Sequence, residues 1–235
     1  MGKRIVSQAR GHGSQVYRVR RKAYSIRIGY PNTDGTAKVI KLIRSAGHYA
    51  PILKLQTNDS KAQIFYIPAF QNAYEGQEIN VGKSEEIRQG DILRLKSLVQ
   101  GTKVYNVETV PGDGGKLIRT GGSFAEVAKK ETNRVVLLMP SKKTIALNEN
   151  CRATVGIIAG NGRLDKPMRK AGVRFHAMKA KGRKWHYTSP VKMNAVDHPF
   201  GGGRGKRIKS KIAKRNAPPG AKVGHIRPRR TGHRK

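Results

Sequence analysis

Acidic residues are scarce in this sequence. Among 235 residues, 14 are Asp or Glu and 49 are Lys or Arg, which gives a formal net charge of +35 at pH 7. A compact body that carries this charge alone repels itself, and binding to a polyanion relieves the repulsion. The shortage of acid therefore predicts a polyanionic partner.

Cysteine and long apolar runs are also lacking. The single cysteine, Cys151, excludes an internal disulfide and suits a reducing compartment. The longest strongly apolar run, Val135–Met139, is far shorter than the ~20 residues that a membrane-spanning helix needs. The basic first residues are followed by no apolar stretch, so we expect no secretory signal.

The positive charge lies mainly at the two ends of the chain. Residues 1–33 contain eight Lys and Arg and no acid, and residues 151–235 contain 24 against two acids. The stretch between them holds 17 cations and 12 acids, an ordinary globular balance. Gly201–Lys235 has 13 cations, seven glycines and no acid. Such a tail cannot close a core, so we expect it to be disordered alone and to order against a polyanion.

Short runs of β-branched and apolar residues dominate the middle of the chain, separated by turn residues. Ten strands without a long helical period between them predict an all-β sandwich or barrel fold. One large barrel or two small ones both fit, with a boundary near Gln100 in the second case. The one helical candidate, Leu164–Lys170, is limited by Pro167. The predicted strands are Lys38–Ile43, Ile52–Gln56, Gln63–Ile67, Ile79–Val81, Ile92–Ser97, Lys103–Val110, Phe124–Ala128, Arg134–Met139, Thr144–Leu147 and Ala153–Ala159.

Patterns typical of metal or nucleotide chemistry are weak. One cysteine and seven dispersed histidines do not give the paired spacing of a zinc site. Gly201–Lys206 is glycine-rich, but it lacks the glycine spacing and the Ser or Thr of a P-loop. We therefore expect neither a metal centre nor a mononucleotide site.

Asp197 and His198 form the one pair that suggests acid–base catalysis. Neighbours in an extended segment point to opposite sides, so Asp197 would not orient the His198 ring, and no nucleophile accompanies them. Cys151 precedes an apolar strand and is expected to be a small buried or half-buried residue. The sequence therefore argues against an enzyme.

Aromatic residues are interleaved with the cations near the C-terminal end. Trp185, Tyr187 and Phe200 could stack on unpaired bases or anchor this segment on the protein, and both readings stay open. Near the N-terminus, Gly11–Gly13 is followed by the cations Arg18, Arg20, Arg21 and Lys22, which indicates a second basic arm that contacts phosphates. The sequence predicts no helix suited to a DNA major groove, whereas small β-barrels bind folded RNA well. RNA is therefore the favoured polyanion.

Three stretches carry a resemblance to a known family. Gly112–Gly122 is similar to its glycine-rich hairpin, Asn150–Gly156 to the strand that follows, and Met193–Gly203 to its signature. With the basic ends, the resemblance covers essentially the whole chain. The chain resembles the universal L-two family of large-subunit ribosomal proteins, called L-eight in animals, and Phe200 after Asp197 and His198 is typical of its archaeal members.

The resemblance implies an OB-fold barrel followed by an SH3-like barrel, with long basic N- and C-terminal extensions. The expected bounds are 1–33 for the N-terminal extension, 34–100 for the OB fold, 101–175 for the SH3-like barrel and 176–235 for an extension that penetrates rRNA. It also implies a structural role in the large subunit, supporting assembly of the peptidyl-transferase region, subunit association and tRNA binding. His198 is then expected to contact RNA without catalysing, because the ribosome's catalytic centre is RNA.

The residues expected to bind rRNA are cations of both extensions and of the barrels, with polar and glycine residues of the signature. They are Arg10, His12, Arg18, Arg20, Arg21, Lys22, Lys116, Arg119, Arg152, Arg174, Lys179, Lys181, Arg183, Lys184, Asn194, Asp197, His198, Gly201, Gly202, Gly203, Arg204, Lys206, Arg207, Lys209, Lys211, Lys214, Arg215, Arg229 and Arg230.

The expected partners are large-subunit rRNA, neighbouring ribosomal proteins and the small subunit at the interface, in the cytoplasm. We expect no membrane, no homo-oligomer, no metal site and no cofactor, with rRNA-bound magnesium allowed at the contacts. Two rival functions remain open. One is a free-standing nucleic-acid chaperone or compaction protein, and the other is a peptidyl transferase that depends on His198.

Overall fold

The computed structural model describes residues 3–59, 62–82, 84, 86–203 and 212–227. Contacts divide the chain into two compact units. We call Arg21–Arg169 the β unit, and Met1–Arg20 together with Lys170–Lys235 the cationic unit. By sequence, the cationic unit has 25 Lys and Arg against one acidic residue, and the β unit has 24 against 13. The charge therefore follows the division that the contacts define.

The β unit contains one ten-stranded sheet. Its order is β3-β2-β1-β4-β5-β10-β6-β7-β8-β9, and every pairing is antiparallel except that of β4 with β5. The strands are β1 (Gly35–Ile43), β2 (Ile52–Thr57), β3 (Ile64–Pro68), β4 (Glu78–Gly82), β5 (Ile92–Arg94), β6 (Lys103–Tyr105), β7 (Ala125–Glu131), β8 (Arg134–Leu138), β9 (Thr144–Asn148) and β10 (Arg152–Val155).

Two hydrophobic cores form along this sheet. The first is built mainly from β1 to β4, and the second from β6 to β10. Strand β5 contributes to both, because Ile92 faces the first core and Leu93 faces the second. In β6, Val104 faces the second core and Tyr105 faces the first. Consecutive side chains of one strand therefore point into different cores.

The all-β class, an OB fold followed by an SH3-like fold with basic extensions, is confirmed. Each of the ten predicted runs overlaps one observed strand. Three strands end three or more residues earlier than predicted, for local reasons. Asn106 has φ 48° after β6, Gly156 has φ 115° after β10, and Leu95–Ser97 forms a 3-10 helix after β5. The domain bounds at residues 33, 100 and 175 remain predictions.

The described residues of the cationic unit form two short α-helices, a 3-10 helix at Pro190–Lys192 and one small sheet. The α-helices are α1 (Val6–Arg10) and α2 (Ala171–Ala180), and the sheet is the parallel pair β11 (Ile212–Ala213) and β12 (His225–Ile226). Among the helices of the described ranges, none is long and apolar enough to cross a membrane.

The helix predicted at Leu164–Lys170 is wrong. Leu164 and Asp165 lie in a turn, Lys166 lies in a bend, and the helix begins only at Ala171, beyond Pro167. Helix α2 ends in a Schellman motif, in which the Gly182 N–H donates to the Lys179 carbonyl and the Arg183 N–H to the Met178 carbonyl. Its only buried residue is Ala180, so it has no apolar stripe from which periodicity could reveal it.

Candidate nucleic-acid interface

A buried carboxylate organises the glycine-rich hairpin of the β unit. The Glu108 side chain is fully buried, and its two oxygens accept backbone N–H bonds from Gly112, Gly114 and Arg152 at 2.8–3.2 Å. The Arg152 guanidinium also donates to Glu108 through Nε at 3.2 Å and Nη2 at 3.0 Å. One carboxylate therefore ties the hairpin to the start of β10.

Arg152 is committed to protein partners. Besides Glu108, its Nη1 donates to the Pro31 carbonyl at 2.6 Å, and its guanidinium lies 5.3 Å from the centre of the Tyr30 ring. Its side chain is 12% exposed. Three of the five N–H donors of its guanidinium are therefore used inside the protein, and the phosphate binding expected of Arg152 stays a prediction.

Arg119 is similarly used within the hairpin. Its Nε donates to Asn106 Oδ1 at 2.9 Å, and its Nη2 donates to the Gly115 carbonyl. Lys116 is exposed and lies 3.5 Å from the Asp113 carboxylate. Of the three cations expected to contact RNA around this hairpin, Lys116 alone projects into solvent.

Asp113 holds the hairpin from within. It accepts hydrogen bonds from the Thr109 hydroxyl and from the backbone N–H groups of Thr109, Val110 and Gly115. Partial burial by itself would raise the pKa of Asp113, but these hydrogen bonds outweigh it and lower the pKa to about 2. The carboxylate is therefore ionised at neutral pH.

The signature segment Met193–Gly203 is a set of turns, so the expectation of an extended segment is wrong. Asn194 O accepts from the Asp197 N–H at 3.0 Å, and Met193 O accepts from the Gly202 N–H at 3.0 Å. A Cβ on the buried Gly201 would collide with the Asn194 carbonyl oxygen, so this position requires glycine. Because the chain folds back here, the expected orientations of Asp197 and His198 do not apply.

Asp197 and His198 nevertheless form no catalytic pair. Asp197 makes an ion pair with Lys3 at 3.2 Å, and His198 Nδ1 accepts the Phe200 backbone N–H at 3.0 Å. Because Nδ1 is an acceptor, the proton of the neutral ring lies on Nε2, which is then a donor. Partial burial lowers the pKa of His198, which favours this neutral form at pH 7.

Five of the expected RNA-binding residues share one cavity of the cationic unit. It has a volume of about 660 Å³, and Arg10, Lys184, Asn194, Asp197 and His198 are in its wall. A neighbouring cavity of about 600 Å³ shares Arg10 and Lys184 with it and adds Arg183. The structure thus brings residues of both ends of the chain into one basic region.

Most other expected residues within the described ranges are exposed cations that line neither cavity. Arg18 donates through Nε to the Gly13 carbonyl at 2.7 Å, and Arg215 donates to the Arg227 carbonyl at 3.0 Å. Lys181 and Gly202 are half-buried. The remaining exposed members are His12, Arg20, Arg21, Lys22, Arg174, Lys179, Gly203 and Lys214. Outside the described residues lie Arg204, Lys206, Arg207, Lys209, Lys211, Arg229 and Arg230.

Several residues of the two cavities were not among those expected from the sequence. Lys3, Arg4 and Lys192 add charge to the larger one, and Tyr17 adds an aromatic ring to the other. The lack of acidic residues in 1–33 is the sequence signal that could have identified Lys3 and Arg4. Tyr17 carried no signal, because only the fold brings it near Trp185.

Cys151 is fully buried in the second core, as expected, and burial raises its pKa to about 11. Within the described residues, no group of three or more His, Cys, Asp or Glu side chains could hold a metal ion.

This chain is similar to known proteins along its whole length. The family model described as Ribosomal Proteins L2, C-terminal domain, matches residues 88–220. The chain is 42% identical over 244 residues to the "Large ribosomal subunit protein uL2" of Methanocaldococcus jannaschii, covering 100% of both chains. It is 43% identical over 239 residues to the protein of the same name from Archaeoglobus fulgidus, again over 100% of both.

Proposed function

The chain belongs to the ribosomal protein L2 family as an archaeal-like member, and on this premise we propose that it is a structural constituent of the large ribosomal subunit that binds large-subunit rRNA. The observation that carries the rRNA-binding step is the composition of the cationic unit, with 25 cations and one acid. That one acid, Asp197, is itself paired with Lys3. The unit therefore presents an almost purely positive surface to a polyanion.

The mechanism is charge neutralisation. Phosphates of neighbouring RNA helices repel each other, and Lys and Arg side chains inserted between them allow close packing. Glycines in the extensions let the backbone itself approach RNA. The protein would in this way support assembly of the peptidyl-transferase region, subunit association and tRNA binding.

The β unit has the complementary role of a rigid scaffold. We assign residues 34–100 to the OB fold and 101–175 to the SH3-like barrel, with extensions at 1–33 and 176–235. The partners are large-subunit rRNA, neighbouring ribosomal proteins and the small subunit, in the cytoplasm and without a homo-oligomer. In this proposal Glu108, Arg152 and Arg119 hold the scaffold together.

His198 contacts RNA in this proposal and does not catalyse. Asp197 is held by Lys3, so it does not orient the imidazole, and the Nδ1 atom is occupied by the Phe200 N–H. We expect His198→Gln, in assembled subunits, to leave single-turnover peptide-bond formation within about tenfold of wild type, the scale of one lost neutral hydrogen bond. A loss of several orders of magnitude with assembly intact would support the rival enzymatic function.

The test of the proposal is sedimentation of a cell extract combined with salt titration. Stoichiometric migration with the large subunit is expected, and a broad distribution on DNA would favour the rival chaperone function. In purified form, about ten phosphate contacts give a slope of log K against log salt of roughly −7 to −9.

Charge-removing variants locate the binding surface. Arg10→Gln with Lys184→Gln should make the salt slope shallower by about 0.7–0.9 for each lost phosphate contact. The matched control is Lys142→Gln with Lys143→Gln in the exposed turn before β9 of the β unit. Equal effects of both pairs would contradict the assignment of binding to the cationic unit.

A further inference from the structure

The smaller of the two cavities in the cationic unit combines aromatic rings with cations. Its volume is about 600 Å³, within the range of small-ligand sites. Its wall includes Arg10, Tyr17, Met178, Lys184, Trp185 and Tyr187, and among the described residues that line it none is acidic. Three of the aromatic rings of the unit therefore converge on a space of purely positive charge.

This cavity adjoins the larger one that contains His198. Both cavities share Val6, Arg10, Lys184 and Tyr187 in their walls. Tyr187 is 57% exposed, so a ligand in either cavity has access to this residue. The shared wall thus offers two cations and one open aromatic ring between two adjacent spaces.

The backbone preforms the aromatic wall. The Schellman motif at the end of α2 puts Gly182 at φ 64°, immediately before Arg183, Lys184 and Trp185. A Cβ at Gly182 would lie 2.7 Å from the Tyr17 carbonyl oxygen, so glycine lets this backbone pass close to Tyr17. Tyr17 and Trp185, far apart in sequence, are held in one cavity by this approach.

An unpaired base of RNA fits this combination of groups. Bases within a duplex are stacked on each other and cannot reach a ring inside a cavity, whereas an unpaired base stacks on aromatic side chains. Each such base is joined to phosphates, which Lys and Arg neutralise. A purely phosphate-binding surface needs no aromatic wall.

We infer that this cavity takes an unpaired nucleotide of RNA, with its base against Tyr187 and Trp185 and its phosphate at Arg10 and Lys184. The next nucleotide then enters the cavity that contains Asn194 and His198. The inference rests on the proposed rRNA binding and adds a specific subsite for single-stranded RNA.

Trp185 provides a native probe, because it is the only tryptophan of the chain. The full-length protein is titrated with an oligoadenylate of about eight nucleotides, within the usual site size for single strands. A blunt RNA duplex with the same number of phosphates is the comparison ligand. We expect the oligoadenylate to quench Trp185 fluorescence to saturation, and the duplex to bind without comparable quenching.

Three variants separate stacking from charge. Tyr187→Ala should weaken oligoadenylate binding by about 5- to 150-fold, which corresponds to the loss of one base–aromatic stack. Tyr187→Phe keeps the ring and should bind as wild type does. Tyr74→Ala removes an aromatic ring of similar exposure, 61%, from the β unit and should have no effect. Duplex binding should be unchanged in all three.

Two results would overturn the inference. One is equal quenching by duplex and single strand, and the other is wild-type affinity of Tyr187→Ala for oligoadenylate. In either case the rings would merely anchor the segment on the protein. Failure of the proposed function would look different, since the chain would then neither bind RNA in salt-dependent fashion nor sediment with the large subunit.

Discussion

Replacement of Glu108 is the sharpest test of how the β unit is held together. The Glu108 carboxylate accepts five hydrogen bonds, three from backbone N–H groups and two from the Arg152 guanidinium. Glu108→Gln keeps the shape of the side chain and one acceptor oxygen, but removes the charge. Arg152, 12% exposed, is then left as a buried cation without a counter-ion.

The magnitude follows from burial. Removing one partner of a buried ion pair costs about 3–5 kcal/mol, because the remaining charge stays out of water without compensation. For comparison, the Glu86–Arg88 pair is 2.8 Å long, with its side chains 77% and 73% exposed. Exposed pairs contribute at most about 1 kcal/mol. The Glu108–Arg152 pair is buried and the Glu86–Arg88 pair is exposed, so we expect loss of the first to destabilise the protein far more than loss of the second.

The assay is urea unfolding of the purified full-length chain, followed by circular dichroism at low and high salt. We expect Glu108→Gln to lower the free energy of unfolding by about 3–5 kcal/mol at both salt concentrations. The control, Glu86→Gln, should have a much smaller effect on the free energy of unfolding, and that effect should vanish at high salt.

A Glu108→Gln effect no larger than that of Glu86→Gln would refute this reasoning. The double variant Glu108→Gln with Arg152→Met gives a second check. It removes both charges, so it should be more stable than Glu108→Gln alone. If it were less stable by the sum of the single effects, the two residues would act independently and the buried pair would have no role.

Three further predictions concern single residues. Hydrogen bonds depress the folded pKa of Asp113 to about 2, so ionised Asp113 contributes about 2 kcal/mol to the free energy of unfolding above pH ~4, and this contribution is lost as pH falls toward 2. Acid unfolding of Asp113→Asn should lack this pH-dependent loss, and an unchanged acid-unfolding profile would contradict the prediction. The buried thiol of Cys151, with its pKa raised to about 11, should react with iodoacetamide only in denaturant; rapid labelling of the folded chain at pH 8 would show that the second core is open. Gly201→Ala should speed hydrogen exchange in residues 193–203, whereas Gly172→Ala, where a Cβ meets nothing within 4 Å, should not; equal exchange in both would argue against the Asn194 contact.

The strands were predictable because each one is a local pattern. Alternation places Leu93 in a core from the sequence alone, and turn residues separate every run. The strand ends were harder to predict from the sequence. After β6, for example, Asn106 adopts a left-handed conformation and is hydrogen-bonded to Tyr30 and Arg119, which are distant in sequence. Helix α2 was missed because its side chains are nearly all exposed and it has no apolar stripe.

The candidate site was predictable in its charge and not in its geometry. The excess of cations at both chain ends indicates a polyanion without any knowledge of the fold. Nothing in the sequence distinguishes Arg152, which is bound to Glu108, from Lys184, which lines the cavities. Glu108 and Arg152 are 44 positions apart, so only the register of the sheet brings them together. The approach of Tyr17 to Gly182 is non-local for the same reason.

A map of RNA crosslinks along the chain in assembled large subunits, read by mass spectrometry of crosslinked peptides, directly tests RNA binding by the cationic unit. We expect most crosslinked peptides to come from residues 1–20 and 170–235. Peptides from the ten strands of the β unit should be crosslinked rarely. Crosslinks concentrated on those strands, with the cationic unit free of RNA, would contradict this expectation.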